Sequence, residues 1–155
     1  MKPRKLPFLI VHVLLPVCAG GFIYLCWRNP NLLMFDWLRA LGFEPAVAAM
    51  RSAVGVAPYS PRWFLTSLPD GLWVYALTAL MALVWRGADF SPLKIFWLST
   101  GFLLGAGSEL GQMIHVVPGS FDPIDLLVCL IAAAAALVLT SSKMKFVRLN
   151  SQESK

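Results

Sequence analysis

Five polar side chains in the last third of the chain have types and spacing that could do chemistry: Glu109, Gln112, His115, Asp122 and Asp125. Glu109 sits within residues 95–117, IFWLSTGFLLGAGSELGQMIHVV, a stretch otherwise suited to lipid or to a protein core. A charged carboxylate at such depth costs several kcal/mol, and acids inside membranes face a bundle interior or a wet cavity, where they pair or serve a function. At about 100° per residue, Gly101, Gly105, Ser108, Glu109, Gln112 and His115 share an arc of roughly 120°. The glycines on that face admit a neighbouring helix, and the polar residues beyond them form a ladder. Counted back from Val117, Glu109 is expected about 12 Å inside the helix end.

Desolvation favours the neutral form of a carboxyl group, whereas a cationic partner keeps it ionised. No lysine or arginine falls inside an apolar stretch at matching depth. Glu109 is therefore expected either to be protonated much of the time or to be hydrogen-bonded to Gln112, Ser108 or a polar group on another helix. His115 would act as a relay only if it faced Glu109. The plainer alternative is an interhelical hydrogen bond that glues the bundle, worth about 0.6–2 kcal/mol. Asp122 and Asp125 likewise have a structural reading. Asp122 as N-cap, Pro123 at the first helical position and Asp125 at the third make a helix start, with both acids at the positive end of the dipole. Of the two, Asp125 is expected to face inward.

Other chemistries find no support in the residues. There is no nucleophile–base pair, HExxH site or phosphate loop, so no catalytic residue is assigned. Cys18, Cys26 and Cys129 are odd in number and lack metal-type spacing, so no disulfide, metal site or cofactor is expected.

The elements that must position these residues follow from composition. Of 155 residues, 58% are hydrophobic and 14% charged, with mean hydropathy +0.70. Soluble domains carry about a quarter charged residues, and apolar runs of about twenty read as membrane spans. The expected fold is all-α: a four-helix transmembrane bundle with spans at about 6–27, 68–85, 95–117 and 124–140. Pro16 predicts a kink in the first. A cleavable signal ending near Cys18 is disfavoured because the apolar run continues to Trp27. Ser67-Leu-Pro-Asp70 reads as a capping box opening the second, anchored by Trp73, Tyr75 and Trp85. Ser91-Pro92 opens the third and Pro118-Gly119 ends it. The fourth carries the run Ala132–Ala136, a smooth face for close helix approach.

Between the first two spans, residues 28–66 are expected to be amphipathic and extracytoplasmic. One short helix starts near Asn31, ends before Gly42 and pairs Asp36 with Arg39, and a second opens at Glu44-Pro45 and closes at Gly55. Such a segment serves as an interfacial anchor or a lid, and Tyr59, Trp63 and Phe64 fit the aromatic belt beside it. Residues 150–155 are expected to form a disordered end. Basic residues cluster at Lys2, Arg4 and Lys5, at Arg86 and Lys94, and at Lys143, Lys145 and Arg148, which predicts cytoplasmic termini. The net charge of +5 is then topological, and no basic stripe suits nucleic acid.

Glu109-x-x-Gln112, a short Pro/Gly turn, and Asp122-Pro-Ile-Asp125 entering a last apolar helix together resemble the VanZ-like family of small polytopic bacterial membrane proteins. Pro69-Asp70 followed by Tyr75 is similar too. Where that family carries an arginine after the glutamine, this chain has Pro118, Gly119 and Ser120, and Cys129 replaces an asparagine. The resemblance implies a cell-envelope protein of the bacterial inner membrane associated with glycopeptide susceptibility. Beside it, the residues suggest a non-enzymatic accessory or binding protein. Its ligand would be a lipid headgroup, a lipid-linked precursor or a partner helix, contributed by a second membrane protein or another copy, and held by Glu109, Gln112, His115, Asp122 and Asp125. A proton-coupled carrier or intramembrane enzyme using Glu109 is the alternative. The predicted topology has a direct check. A cysteine at Ser120 should react with an impermeant maleimide added outside intact cells, and labelling from the cytoplasmic side alone would reverse the orientation.

Overall fold

The computed structural model describes residues 5–55, 61–117 and 120–152, with side-chain surroundings through Thr140. All regular elements among the described residues are helices. In chain order, α1 spans Lys5–Trp27, α2 Leu33–Ala40, α3 Glu44–Val54, α4 Arg62–Val84, α5 Pro92–Met113 and α6 Pro123–Gln152. Three helices are long and apolar enough to cross a membrane: α1, α4, and α6 over Pro123–Thr140. With 22 residues, α5 matches them in length, but Thr100, Ser108, Glu109, Gln112 and its glycines dilute its hydropathy. Lys2, Arg4, Tyr59, Pro118, Gly119 and the last three residues, as well as the side chains of Lys143, Lys145 and Arg148, lie outside the described set.

Several boundaries differ from those expected. The second membrane helix starts at Arg62, not Leu68, with Pro61 at its N-cap. Ser67 and Asp70 are therefore no capping box. Ser67 is fully buried, and Asp70 falls two turns inside the helix. The local capping pattern loses because the apolar run Trp63, Phe64 and Leu65 carries the helix back to Pro61, and proline punctuates its start. Pro69 sits inside α4, nearly inaccessible. In α1 the irregularity expected at Pro16 takes the form of a π-helical turn, Ile10–Leu14. Pro16 has no N–H to return to the His12 carbonyl, and a wider turn just before it absorbs the missing bond. The end of the chain is helical through Gln152, so Asn150–Gln152 continue α6 instead of forming a loose tail.

The amphipathic segment folds as two short helices, with Leu32 at the first N-cap in place of Asn31. Asn29 accepts from the Asn31 amide at 2.9 Å and so spends its cap on the turn. Asp36 and Arg39 pair at 3.2 Å, as their spacing predicts. Gly42 and Gly55 have φ of 78° and 74°, the left-handed conformations that end helices at a glycine.

The bundle is organised on α4. It packs most extensively on α6, with α1 against one side of it and α5 against the other. Sequence order makes α4 and α6 parallel, and α1 and α5 antiparallel to them. Contact is close because small residues line the seams. A Cβ at Gly71 would stand 2.5 Å from Val128 Cγ1, one at Gly20 3.1 Å from the Pro69 carbonyl oxygen, and one at Gly101 2.9 Å from the Val74 carbonyl oxygen. Ala79 and Ala136 are completely buried and join Phe8, Tyr75 and Leu83 in a cluster toward the chain's N-terminal end. The smooth alanine face expected on α6 thus meets α4. The glycines give a matched test. Gly101→Val should lower the stability of the purified protein in detergent by about 1–3 kcal/mol through overpacking. Gly107→Val, where a Cβ meets nothing within 4 Å, should be neutral or mildly stabilising in the same unfolding titration.

Candidate functional site

Glu109 lies on the buried face of α5, four residues before its end, and is 6% exposed. At 1.5 Å per residue it stands about 6 Å inside the helix terminus, half the depth expected, because α5 stops at Met113. Of the expected partners, the one found is a polar group at the neighbouring helix: Oε2 accepts from the backbone N–H of Asp122, the cap residue of α6, at 3.1 Å, and not from Gln112 or Ser108. Ser108 is exposed, although at about 100° per residue it returns to within about 20° of Gly101. The carboxylate therefore ties the end of α5 to the residue preceding α6.

His115 does not continue the polar ladder. It occupies the left-handed region with φ 61°, donates its N–H to the Gln112 carbonyl at 3.1 Å, and is followed by Val116 donating to the Gly111 carbonyl at 2.9 Å. These two bonds form a Schellman motif with His115 in the position usually taken by glycine. The imidazole Nδ1 also lies 3.1 Å from the Gln112 carbonyl oxygen and the residue is exposed, so it does not face Glu109. Gln112 is half-buried and contributes its backbone to this cap.

Asp122 acts as the expected cap of α6. Its Oδ1 accepts from the Ile124 amide at 2.8 Å, one of the free N–H groups of a first turn. Asp125 turns inward, as expected, with Oδ1 fully enclosed and without a hydrogen-bond partner.

Two members of the site were not assigned from the sequence. Asp70, on the seam face of α4, interacts electrostatically with Arg28, Asp125 and Glu109, and Glu109 in turn with Asp125, Asp122 and Arg28. Three helices and the end of a fourth thus bring four acids and one arginine to the same end of the bundle. Asp70 was hidden by its resemblance to a cap. Its spacing of four and eight residues from Val74 and Thr78, two other residues of the buried seam, is the signal that could have exposed it.

Arg28 is held there by the short helices. Arg51 of α3 donates from Nε to the Leu25 carbonyl at 2.7 Å and from Nη2 to the Arg28 carbonyl at 2.6 Å. A cation at a helix C-terminus meets unsatisfied carbonyls and the negative end of the dipole. The same Arg51 lies 4.8 Å from the Phe35 ring centroid, Phe35 stacks on Tyr24 at 5.9 Å, and the Arg28 guanidinium covers Tyr24 at 5.3 Å. Between α2 and α3 lies a cavity of about 150 Å³ lined by residues including Phe35, Leu38, Val47 and Arg51. It is separate from the acids.

Beneath the acids the seam is shut. A Cβ at Gly105 would lie 2.9 Å from Cys129 Sγ and 3.2 Å from Val74 Cγ2, and Cys129 and Val74 are 2% and 6% exposed. Among the described residues, no three His, Cys, Asp or Glu converge closely enough to hold a metal ion.

A separate polar contact joins α1 to α4. His12, buried in the π turn, places Nδ1 2.6 Å from the Tyr75 hydroxyl, and Phe8 packs on its ring at 4.7 Å. Tyr75 therefore binds within the bundle instead of anchoring at an interface, and Trp73 likewise packs on Tyr24, at 5.4 Å.

No family model, curated protein or solved structure matches the chain. The assignment of His115 to a helix cap has a clear consequence. His115→Gly should raise stability by about 1 kcal/mol by relieving left-handed strain, read as a higher unfolding midpoint. It should leave cellular function intact, whereas loss of function at normal protein level would restore His115 to the site.

Proposed function

We propose that this chain is a four-span integral membrane protein of the bacterial cell envelope, VanZ-like in type, that binds an envelope ligand through the charged constellation at the end where α6 begins. The fourth span is α5. Its 22 residues cover about 33 Å at 1.5 Å each, and Gly101, Gly105 and Glu109 lie against α4, α6 and the connection between α5 and α6, away from lipid. Positive-inside placement of Lys5, Arg86 and Lys94 puts the acids at the outer leaflet, with both termini cytoplasmic.

The observation that supports a binding role is that Asp70, Glu109 and Asp125, on three different helices, and Arg28 lie near enough for their charges to act on one another, with Glu109 buried and Asp125 Oδ1 enclosed. Acids gathered within a membrane protein mark a ligand or ion site. The sealed layer of Val74, Gly105 and Cys129 below them favours a one-sided binding site over a path through the membrane. That layer weighs against the carrier alternative. In this reading the ligand is a lipid headgroup or a lipid-linked precursor, and the role is accessory, without catalysis.

Paired substitutions at Glu109 separate its charge from its structural bond. Glu109→Gln retains a carbonyl oxygen that can accept from the Asp122 amide, so protein level should stay near wild type. Survival of a deletion strain under glycopeptide or other envelope stress should no longer be restored. Glu109→Ala should also lose about 1–3 kcal/mol of stability by leaving that amide unpaired. Full complementation by the Gln variant would reduce Glu109 to a structural tether and remove the binding role.

A further inference from the structure

Between α2 and α3 the protein keeps open a space that two amphipathic helices would ordinarily close. Glu44, Val47, Ala48 and Arg51 are spaced as one face of α3, and with Phe35, Leu38 and Arg39 of α2 they enclose a cavity of about 150 Å³. Protein interiors hold few voids wider than a water molecule, and atoms facing an empty one forfeit dispersion contacts. Apolar cavities of comparable size engineered into protein cores bind benzene. The space therefore has room for one ring or one segment of alkyl chain.

The charges on its wall select among such guests. Two guanidinium groups line the cavity, against the single carboxylate of Glu44. Arg39 pairs with Asp36 at 3.2 Å and reaches Glu44 only at 3.9 Å. Arg51 is held by the Leu25 and Arg28 carbonyls and lies over the Phe35 ring. Those partners are neutral, and the ion pairs among the described residues are those of Arg39, so the charge of Arg51 is not cancelled. A guanidinium fixed in this way can take a carboxylate or phosphate with little further loss of side-chain freedom.

Access is from the membrane. Leu33, Trp37 and Leu41 follow one another at four-residue intervals, within an arc of about 80° on α2, and all three are exposed, as is Phe43 in the connection to α3. An amphipathic helix with such a face lies in the interface, buried about 5–10 Å into the boundary between headgroups and acyl chains. That is the depth at which the polar end of an amphiphile meets its chain.

We infer that this cavity is a second binding site, separate from the acids, for a long-chain anion of the fatty-acid class, its chain against Phe35, Leu38 and Val47 and its anionic head at Arg51 and Arg39. The site does not depend on the role proposed for Glu109. A cationic amphiphile would set its charge against both arginines, and a neutral alcohol would leave Arg51 without a counter-charge. An inorganic anion would leave the apolar wall uncovered.

The test uses the full chain in a steroid-based detergent, which has no alkyl chain to compete, and equilibrium dialysis against radiolabelled laurate with protein-free micelles as background. One laurate per chain should be retained. Unlabelled dodecyltrimethylammonium and dodecanol should each displace it at least about tenfold less well than unlabelled laurate. Ala48→Phe, which fills the cavity, should abolish this saturable binding while the unfolding midpoint stays at or above that of the wild type. Arg39→Gln should weaken laurate severalfold, whereas Arg86→Gln, beyond the other end of α4, should leave it unchanged. Displacement by phosphatidylglycerol as effective as that by laurate would trace the chain to a membrane phospholipid, and displacement by single-chain acids alone would trace it to a free fatty acid. Both results support the site. The inference is overturned if the wild-type protein binds dodecyltrimethylammonium or dodecanol as well as laurate, a result that requires no variant to fold. It is equally overturned if folded Ala48→Phe retains laurate as the wild type does.

Discussion

The hydrogen bond from the Asp122 amide to the buried Glu109 carboxylate is the contact on which the rest of the site depends. It fixes the end of α5 to the residue that precedes α6. A carboxylate enclosed to this degree needs donors, and a backbone N–H in the first turns of a helix is an efficient one. Asp122 then caps α6 with its own side chain, so one residue serves as donor to one helix and acceptor for the next. The register of α6 follows, and with it the inward turn of Asp125 and the contact of Cys129 with Gly105.

Around that tie the bundle is assembled by close approach instead of by large side chains. Gly20, Gly71, Gly101 and Gly105 each lie where a Cβ would press on a neighbouring helix, and Ala79 and Ala136 are completely buried. In lipid, where no hydrophobic force draws apolar helices together, such proximity provides the dispersion contacts that hold them. It also shuts the seam beneath the acids. The acids are thus confined to one end of the seam, while buried Thr78 and the His12–Tyr75 pair are polar groups further along it.

The short helices contribute through electrostatics more than through hydrophobic contact. Arg51 engages two carbonyls at the C-terminal end of α1, and its stack with Phe35 and Tyr24 runs on to Arg28. A segment that composition alone marks as an interfacial anchor therefore also supports Arg28, whose charge acts on the acids. His12 and Tyr75 supply the corresponding polar contact lower in α1, at a turn widened by Pro16.

Much was legible in the residues themselves. Hydropathy, the proline and glycine punctuation and the period of small residues specified the helical class, the apolar helices α1, α4 and α6, the inward face of α5, the cap at Asp122 and the inward turn of Asp125. These are local properties, set by side-chain volume, backbone freedom and the rotation of 100° per residue. Only the tertiary structure decided that Asp70 lies inside a helix instead of at its start, that His115 is a left-handed cap, and that Arg28 stands opposite the acids. Each outcome turns on where a neighbouring helix passes. A helix that begins at Arg62 overrode a capping pattern, a premature helix end moved His115 off its face, and a contact between residues twenty-three positions apart placed Arg28.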